Sequence, residues 1–305
     1  MIYLPHNHPS LPQLRNEGIE VDDSRAPEGT ARILILNLMP QKQEAEEEYY
    51  RALSGAGIDV EILLIKMSNQ TYKTTPQAYM DTFYIDIAKI ISSKQVYDGM
   101  IVSGAPIEQL DFSDVRYWKQ LQEVYRWSIT HVRSTLSICW AAFAALNIFF
   151  GIPKIWTAEK LFGVFPHHNE NPQIPLMTGL GEEVMVPISR HITLSRKDLD
   201  ARPEITTLLD QTKTGPELAF AWSGRQIFAT GHMEYALGRL AFEYERDKQK
   251  GLPISVPANY FIGNSPEKGV NNSWQKSGRQ FYSNWLRYYV CNSGLDMKEG
   301  AEFSL

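Results

Sequence analysis

Ser134-Thr135-Leu136-Ser137-Ile138-Cys139-Trp140-Ala141-Ala142-Phe143-Ala144-Ala145 is the stretch from which the fold can be read. Its first five residues read as a short strand, and the alanine-rich run after Cys139 reads as a helix. Cys139 falls on the turn between them. A strand-to-helix turn lifts a side chain clear of the sheet and points the first amides of the helix toward it. Such amides lower a thiol's pKa and can hold a developing oxyanion. A lone cysteine in an apolar run is ordinarily a buried core residue. The carboxyl end of a strand, however, is where open α/β sheets place their sites, and that position favours chemistry.

The same alternation extends outward from this stretch. Short apolar runs at 32–38, 60–65 and 98–104 precede it as strands, and the first is apolar on both faces, as a central parallel strand requires. Between them lie helical patterns at 41–54, 76–92 and 115–132. In the second, Tyr79, Phe83, Ile87 and Ile90 recur at three- and four-residue spacing. The expected fold is α/β, a doubly wound, mostly parallel sheet flanked by helices. Beyond Gly151 the pattern loosens. Residues 152–215 carry many Pro, His and charged positions around a strand-like Glu183-Val184-Met185-Val186. Residues 217–222 and 225–230 read as a hairpin turning at Ser223-Gly224, and helices are expected at 236–250 and 278–290. Residues 1–30 show no sustained periodicity and read as an N-terminal arm that wraps a neighbour or packs late. The expected organisation is that arm, one α/β domain over 31–292 with an elaborated C-terminal half, and a tail over 293–305.

At 305 residues and 43% hydrophobic composition the chain can bury a full core without disulfide or metal staples. The net charge of −5 includes no basic tract, so no nucleic-acid partner is expected. Two cysteines, Cys139 and Cys291, make no disulfide framework and point to a reducing compartment. Met1-Ile2-Tyr3-Leu4-Pro5-His6 lacks the regions of a signal peptide. The longest apolar stretch, Cys139 to Ile152, is interrupted by Asn147 and is too short to span a bilayer. A cytoplasmic protein without a membrane partner is expected.

A nucleophilic cysteine needs a base, and the base needs an orienting group. Gly231-His232-Met233-Glu234 supplies both directly after the strand ending near Thr230. In extended chain, residues two apart share a face, so Glu234 can accept from one ring nitrogen of His232 while the other addresses the thiol. Either residue alone would be unremarkable; two strand ends carrying Cys139 and His232 with Glu234 suggest a Cys-His-Glu triad. His6, His8, His167 and His168 lack the spacing of a zinc motif, so no metal is expected. No Walker or dinucleotide glycine fingerprint is present. Ser54-Gly55-Ala56-Gly57 lies between helix and strand, the wrong order for binding phosphate.

Further motifs identify a family. Ile35-Leu36-Asn37-Leu38-Met39-Pro40, Ser103-Gly104-Ala105-Pro106, Ile138-Cys139-Trp140, Glu159-Lys160-Leu161-Phe162-Gly163-Val164, Gly231-His232-Met233-Glu234-Tyr235, Asn259-Tyr260-Phe261 and Asn284-Trp285-Leu286 occur in that order. Over roughly 32–290 the chain resembles the homoserine O-succinyltransferase/O-acetyltransferase family of methionine biosynthesis, whose flavodoxin-like fold is similar to class I glutamine amidotransferases. The resemblance implies Cys139 as acyl-accepting nucleophile, His232 as general base and Glu234 as its orienting residue. It implies Lys160 as an active-site, substrate-binding lysine and Ser189 and Arg246 as residues that hold the amino-acid acceptor. A guanidinium suits an α-carboxylate because its fork bonds both oxygens. Amides at Trp140, Gly104 and Ala105 are expected to hold the oxyanion. The implied reaction is ping-pong, with acyl-CoA as substrate and no bound cofactor, and the implied assembly is a homodimer.

Glu108, in Gly104-Ala105-Pro106-Ile107-Glu108, occupies the family position that is glycine in succinyl-using members. A carboxylate there would repel the terminal carboxylate of a succinyl group and spare acetyl, so acetyl-CoA is the expected donor and L-homoserine the expected acceptor. Four positions depart from the family pattern: Met233, where proline is usual; Ala236, where aspartate is; Ile188, where histidine is; and Phe143, where glutamine is. Ile188 and Phe143 adjoin proposed site residues, which keeps L-serine O-acetyltransferase as an alternative, with homoserine O-succinyltransferase beside it. An amidotransferase or related hydrolase with the same triad order, or a non-catalytic regulator, are the readings from other classes.

Overall fold

The run Ile33-Leu34-Ile35-Leu36 is buried at every position, and its alternate side chains feed two different cores. Ile33 and Ile35 join one, Leu34 and Leu36 the other, as the two-residue period of a strand demands. A strand wetted on neither face must lie inside a sheet covered on both sides, and the computed structural model, which describes residues 1–292, has that architecture. The 293–305 tail lies outside the described residues.

In chain order the elements begin with β1 (Ile2–Tyr3), α1 (Leu11–Asn16), β2 (Val21–Asp22), β3 (Ala31–Leu36), α2 (Lys42–Ser54) and β4 (Val60–Lys66). α3 (Gln77–Phe83), β5 (Tyr84–Asp86), α4 (Ile87–Ser92), β6 (Tyr97–Val102), α5 (Trp118–His131), β7 (Val132–Ile138) and α6 (Trp140–Phe150) follow. The C-terminal half holds β8 (Ile155–Asn169), β9 (Glu183–Thr193), α7 (Arg196–Asp200), β10 (Ile205–Asp210), β11 (Leu218–Ala221), β12 (Gln226–Ala229), α8 (Arg239–Gln249) and α9 (Gln275–Trp285). Among the described residues the strands form one sheet in the order β2-β1-β4-β3-β6-β7-β12-β11-β10-β8-β9, with β5 beside β4. Every pairing from β2 across to β12 is parallel, and those from β12 to β9 are antiparallel. Helices α2 and α9 contribute to one core; α5 and α6 contribute to the other. Among the described residues no helix is long and apolar enough to cross a membrane.

The strand order places the site. From β3 the chain moves outward to β4, but from β6 it moves the opposite way to β7, so the order reverses between β3 and β6. Loops leaving the carboxyl ends of these strands diverge and leave a crevice, the usual place for a ligand in such sheets. The Leu38 amide donates to the Ser103 hydroxyl at 2.6 Å and ties the two loops together at its floor.

Three expected segments take a different form. The 76–92 pattern is two helices rather than one. Tyr84–Asp86 is extended and pairs with β4, and Asp86 then caps α4 by accepting from the Ala88 amide at 2.9 Å. The loosely patterned 152–215 region holds the longest pairing of the molecule among the described residues, β8 against β9. Its alternation is masked by proline, histidine and Gly163. That glycine has φ +146, and a Cβ there would sit 2.4 Å from the backbone of Ala258. Finally, the first thirty residues fold onto the sheet edge. β1 pairs with β4, Leu4, Leu11 and Leu14 are buried, and His8 meets the buried Glu46 at 3.1 Å. Elements of two and six residues are too short to display a period.

Candidate active site

Strand β7 ends at Ile138 and α6 starts at Trp140, leaving Cys139 alone at the junction. Its backbone has φ 51 and ψ −123, a conformation that costs a non-glycine residue about 1–3 kcal/mol and persists only where the surroundings impose it. The strain is the geometry of a nucleophile elbow, in which a sharp turn exposes the nucleophile above the sheet. Cys139 is half-buried and free. Gly104, at the end of β6, allows a close approach: a Cβ there would lie 3.1 Å from the Cys139 Cβ and 3.8 Å from its Sγ. Among the described residues the amides of Gly104, Ala105 and Trp140 donate to no protein acceptor, so three backbone donors beside the thiol are available to a ligand.

The neighbouring parallel strand β12 delivers the expected base. Its register sets Ala229 opposite Ile138, and the Cys139 amide donates to the Ala229 carbonyl at 2.8 Å. His232 follows three residues later, buried, with its Nδ1 2.6 Å from Oε1 of Glu234 and close enough to Cys139 to feel its charge. Burial works against the imidazolium, but the negative charges of Cys139 and Glu234 outweigh it and hold His232 well above the usual histidine range. The pairing of His232 with Glu234 expected from extended chain is present for another reason. Residues 231–236 form a turn rather than a strand. That turn is clamped from one side by α9, whose Gly278 packs against the Met233 carbonyl and whose Tyr282 hydroxyl donates to Oε2 of Glu234 at 3.3 Å. Tyr235 stacks on the His232 ring at 4.0 Å between centroids.

Lys160, Ser189 and Arg246 come from β8, β9 and α8, and the structure gathers them around a residue the sequence reading passed over. Glu243 accepts from the Ser189 hydroxyl at 2.6 Å and from the Tyr235 hydroxyl at 3.4 Å, and lies 3.9 Å from the Lys160 ammonium. Tyr235 thereby links this cluster to the His232 ring. Arg246 pairs through Nε with Asp247 at 2.7 Å, which leaves the outer guanidinium nitrogens of this partly exposed side chain for another anion. Lys160 is mostly buried between Asp247, Glu243 and the Phe162 ring, not a solvated surface lysine. Glu243 stands three residues before Arg246 on the same helix, so the i, i+3 spacing was the available signal.

Glu108 is also fixed. The His191 backbone amide donates to both its carboxylate oxygens at 3.1 Å, and the His191 ring approaches Oε1 at 2.8 Å. His191 lies two residues beyond Ser189 on β9, so one strand touches both the expected acceptor cluster and the expected acyl-selecting residue.

Comparison with known proteins gives the chain a family. The family model described as homoserine O-succinyltransferase matches residues 1–294. The chain belongs to that family. A homoserine O-acetyltransferase of Bacteroides fragilis (strain YCH46) is 43% identical over 291 residues, covering 94% of this chain and 95% of that one. A homoserine O-acetyltransferase of Bacteroides thetaiotaomicron is 42% identical over 291 residues, with 94% and 95% covered. One from Geobacillus sp. (strain WCH70) is 40% identical over 293 residues, with 95% and 96% covered. A glutamine amidotransferase from Thermotoga maritima shares the fold with TM-score 0.53 at 11% identity, over 87% of this chain and 99% of that one. Another from Methylobacillus flagellatus does so with TM-score 0.52 at 13% identity, over 85% and 94%.

Of the four positions expected to depart from the family pattern, Ile188, Phe143 and Met233 are buried. Ile188 is fully buried with Leu161 and Phe165, and Phe143 is buried in the core beneath α6. Met233 meets Gly278 through its carbonyl, and Ala236 donates its amide to Glu48 at 3.2 Å.

Proposed function

We propose that this chain transfers an acetyl group from acetyl-CoA to the hydroxyl of L-homoserine through a thioester on Cys139. The observation that carries the reading is a histidine ring bonded to Glu234 and within electrostatic reach of Cys139, which stands at a strained strand-to-helix turn. The relatives' names supply the substrates. In the first half-reaction the thiolate attacks the thioester carbonyl, and the amides of Trp140, Gly104 and Ala105 take the oxyanion. The carbon–sulfur bond to CoA breaks, and the imidazolium of His232 returns a proton to the leaving thiolate. In the second, His232 removes the proton of the acceptor hydroxyl as its oxygen attacks the acyl-enzyme, and Cys139 leaves as thiolate. Glu234 holds the ring in one orientation throughout and stabilises its charged form.

The acceptor is an amino-acid zwitterion, and the cluster offers both complements. The free edge of Arg246 suits its carboxylate, while Glu243 with Ser189 suits its ammonium. The relatives' names favour homoserine over serine as the acceptor.

Donor choice rests on Glu108. Two carboxylates about 4 Å apart at an effective dielectric near 20 repel by about 4 kcal/mol. Water and the His191 ring reduce this, so about tenfold discrimination against succinyl-CoA is expected. A cytoplasmic site, where acyl-CoA is available and thiols stay reduced, fits two free cysteines. Place in methionine biosynthesis and a homodimeric assembly are inferred from family membership, and light scattering tests the assembly. A CoA-release assay crossing acetyl- and succinyl-CoA with L-homoserine and L-serine tests the function. Turnover confined to acetyl-CoA with homoserine is expected; preference for serine or for succinyl-CoA overturns it.

A further inference from the structure

The crevice at the reversal of strand order holds a pocket of about 420 Å³ that the steps above leave without an occupant. It lies between the loops after β3, β4 and β6, and Ala105, one of the amides beside the thiol, forms part of its wall. The opposite groove, of about 1000 Å³, carries Lys160 and His191 and so belongs to the acceptor side. Ala105 follows Gly104, which packs against Cys139, so the first cavity opens near the thiol. Leu38, Met67 and Ile107 make the first one apolar inside. Three cations, Lys42, Lys73 and Arg116, line it, with no carboxylate among its lining residues. Lys42 is buried and occupied: its ammonium donates to the Asn37 carbonyl, and burial pushes its pKa down to about 8. Lys73 and Arg116 are different. Both are exposed, and among the described residues neither has an ion-pair or hydrogen-bond partner.

A partly apolar cavity near a thiol, lined by two unpaired cations, matches a long, uncharged thioester arm that ends in phosphates. We propose that this crevice binds the phosphopantetheine arm of the acyl-CoA donor, with Lys73 and Arg116 at its mouth holding the phosphates. The assignment rests on the acyl-CoA reading given under the proposed function. Arg and Lys are the side chains suited to phosphate oxygens, and a crevice at such a reversal is the expected ligand position.

The test is calorimetric binding of CoA to the full chain, with Michaelis constants measured alongside. Lys73→Glu and Arg116→Glu reverse exposed charges and leave the core intact. Each is expected to weaken CoA binding and to raise the Michaelis constant for acetyl-CoA by about tenfold. The Michaelis constant for homoserine should stay unchanged, and the defect should vanish with S-acetyl-pantetheine, which lacks phosphates. Lys213→Glu in the other groove is expected to leave CoA affinity as it was. A chain that binds CoA normally in both crevice variants overturns the assignment, as does a loss confined to Lys213→Glu, and the proposed function stands in either case. A wild-type chain that neither binds CoA nor releases it from acetyl-CoA overturns both.

Discussion

Replacing Gly278 with alanine places a methyl group where the Met233 carbonyl stands. The new Cβ would lie 2.2 Å from that oxygen, whereas ordinary contact begins near 3.4 Å, so α9 and the 231–236 turn must separate by 3.4 − 2.2 = 1.2 Å. Met233 lies between His232 and Glu234, and Tyr282, four residues beyond Gly278 on the same helix, bonds Glu234. The displacement therefore falls on the base and its orienting residue together. Overpacking of this kind costs about 1–3 kcal/mol of stability, and a misplacement of about 1 Å at a catalytic group costs about a hundredfold in rate. The expected outcome is a folded protein with a modestly lower urea midpoint and a kcat down by about a hundredfold. Steady-state kinetics with acetyl-CoA and homoserine, beside urea unfolding, separates the two effects. A Gly278→Ala protein with wild-type kcat would refute the claim that α9 positions the base.

Tyr282→Phe removes one hydrogen bond from Glu234 and should lower kcat by about fivefold, or about 1 kcal/mol, with the acetyl-CoA Michaelis constant unchanged; an effect on donor binding alone would argue against a positioning role. Glu108→Gly should raise kcat/KM for succinyl-CoA by about tenfold relative to acetyl-CoA, and an unchanged ratio would sink the charge-exclusion account. His167 is buried, donates through Nδ1 to the Phe165 carbonyl, meets the Thr214 hydroxyl at Nε2, and is held down to about 3 by burial and by Arg190. Because its folded pKa lies below the unfolded value of about 6.5, its stabilisation is complete above that value and is lost as pH falls toward 3. Between pH 7 and 5 the loss is about 2 kcal/mol, so His167→Gln should flatten the urea-unfolding free energy over that range by this amount. Equal pH slopes for the two proteins would contradict it.

Legibility from sequence followed the physics of each element. Ile33 to Leu36 and Leu136 to Ile138 could be read because central strands bury both faces. Cys139 could be placed because its strand and helix flank it closely. The β8–β9 pairing could not, since Gly163 and the prolines interrupt its alternation and its partners lie up to 38 residues apart (Ile155 with Thr193). His232 and Glu234 were found by proximity in sequence, although a turn and not a strand unites them. Tyr282 was missed because a lone tyrosine carries no local signal, and Glu243 because its i, i+3 spacing to Arg246 marks a shared helix face without marking a site. Only the packing of α9 and α8 brings them to the triad and to Ser189.

The covalent step on Cys139 is tested most directly by intact-protein mass spectrometry after incubation with acetyl-CoA in the absence of an acceptor. The expected result is release of one CoA per chain and a gain of one acetyl group that maps to Cys139. That acetyl should disappear when L-homoserine is added, and it should never form on Cys139→Ala. An unmodified wild-type protein that still turns over both substrates, or a Cys139→Ala protein that retains transfer, would contradict the thioester.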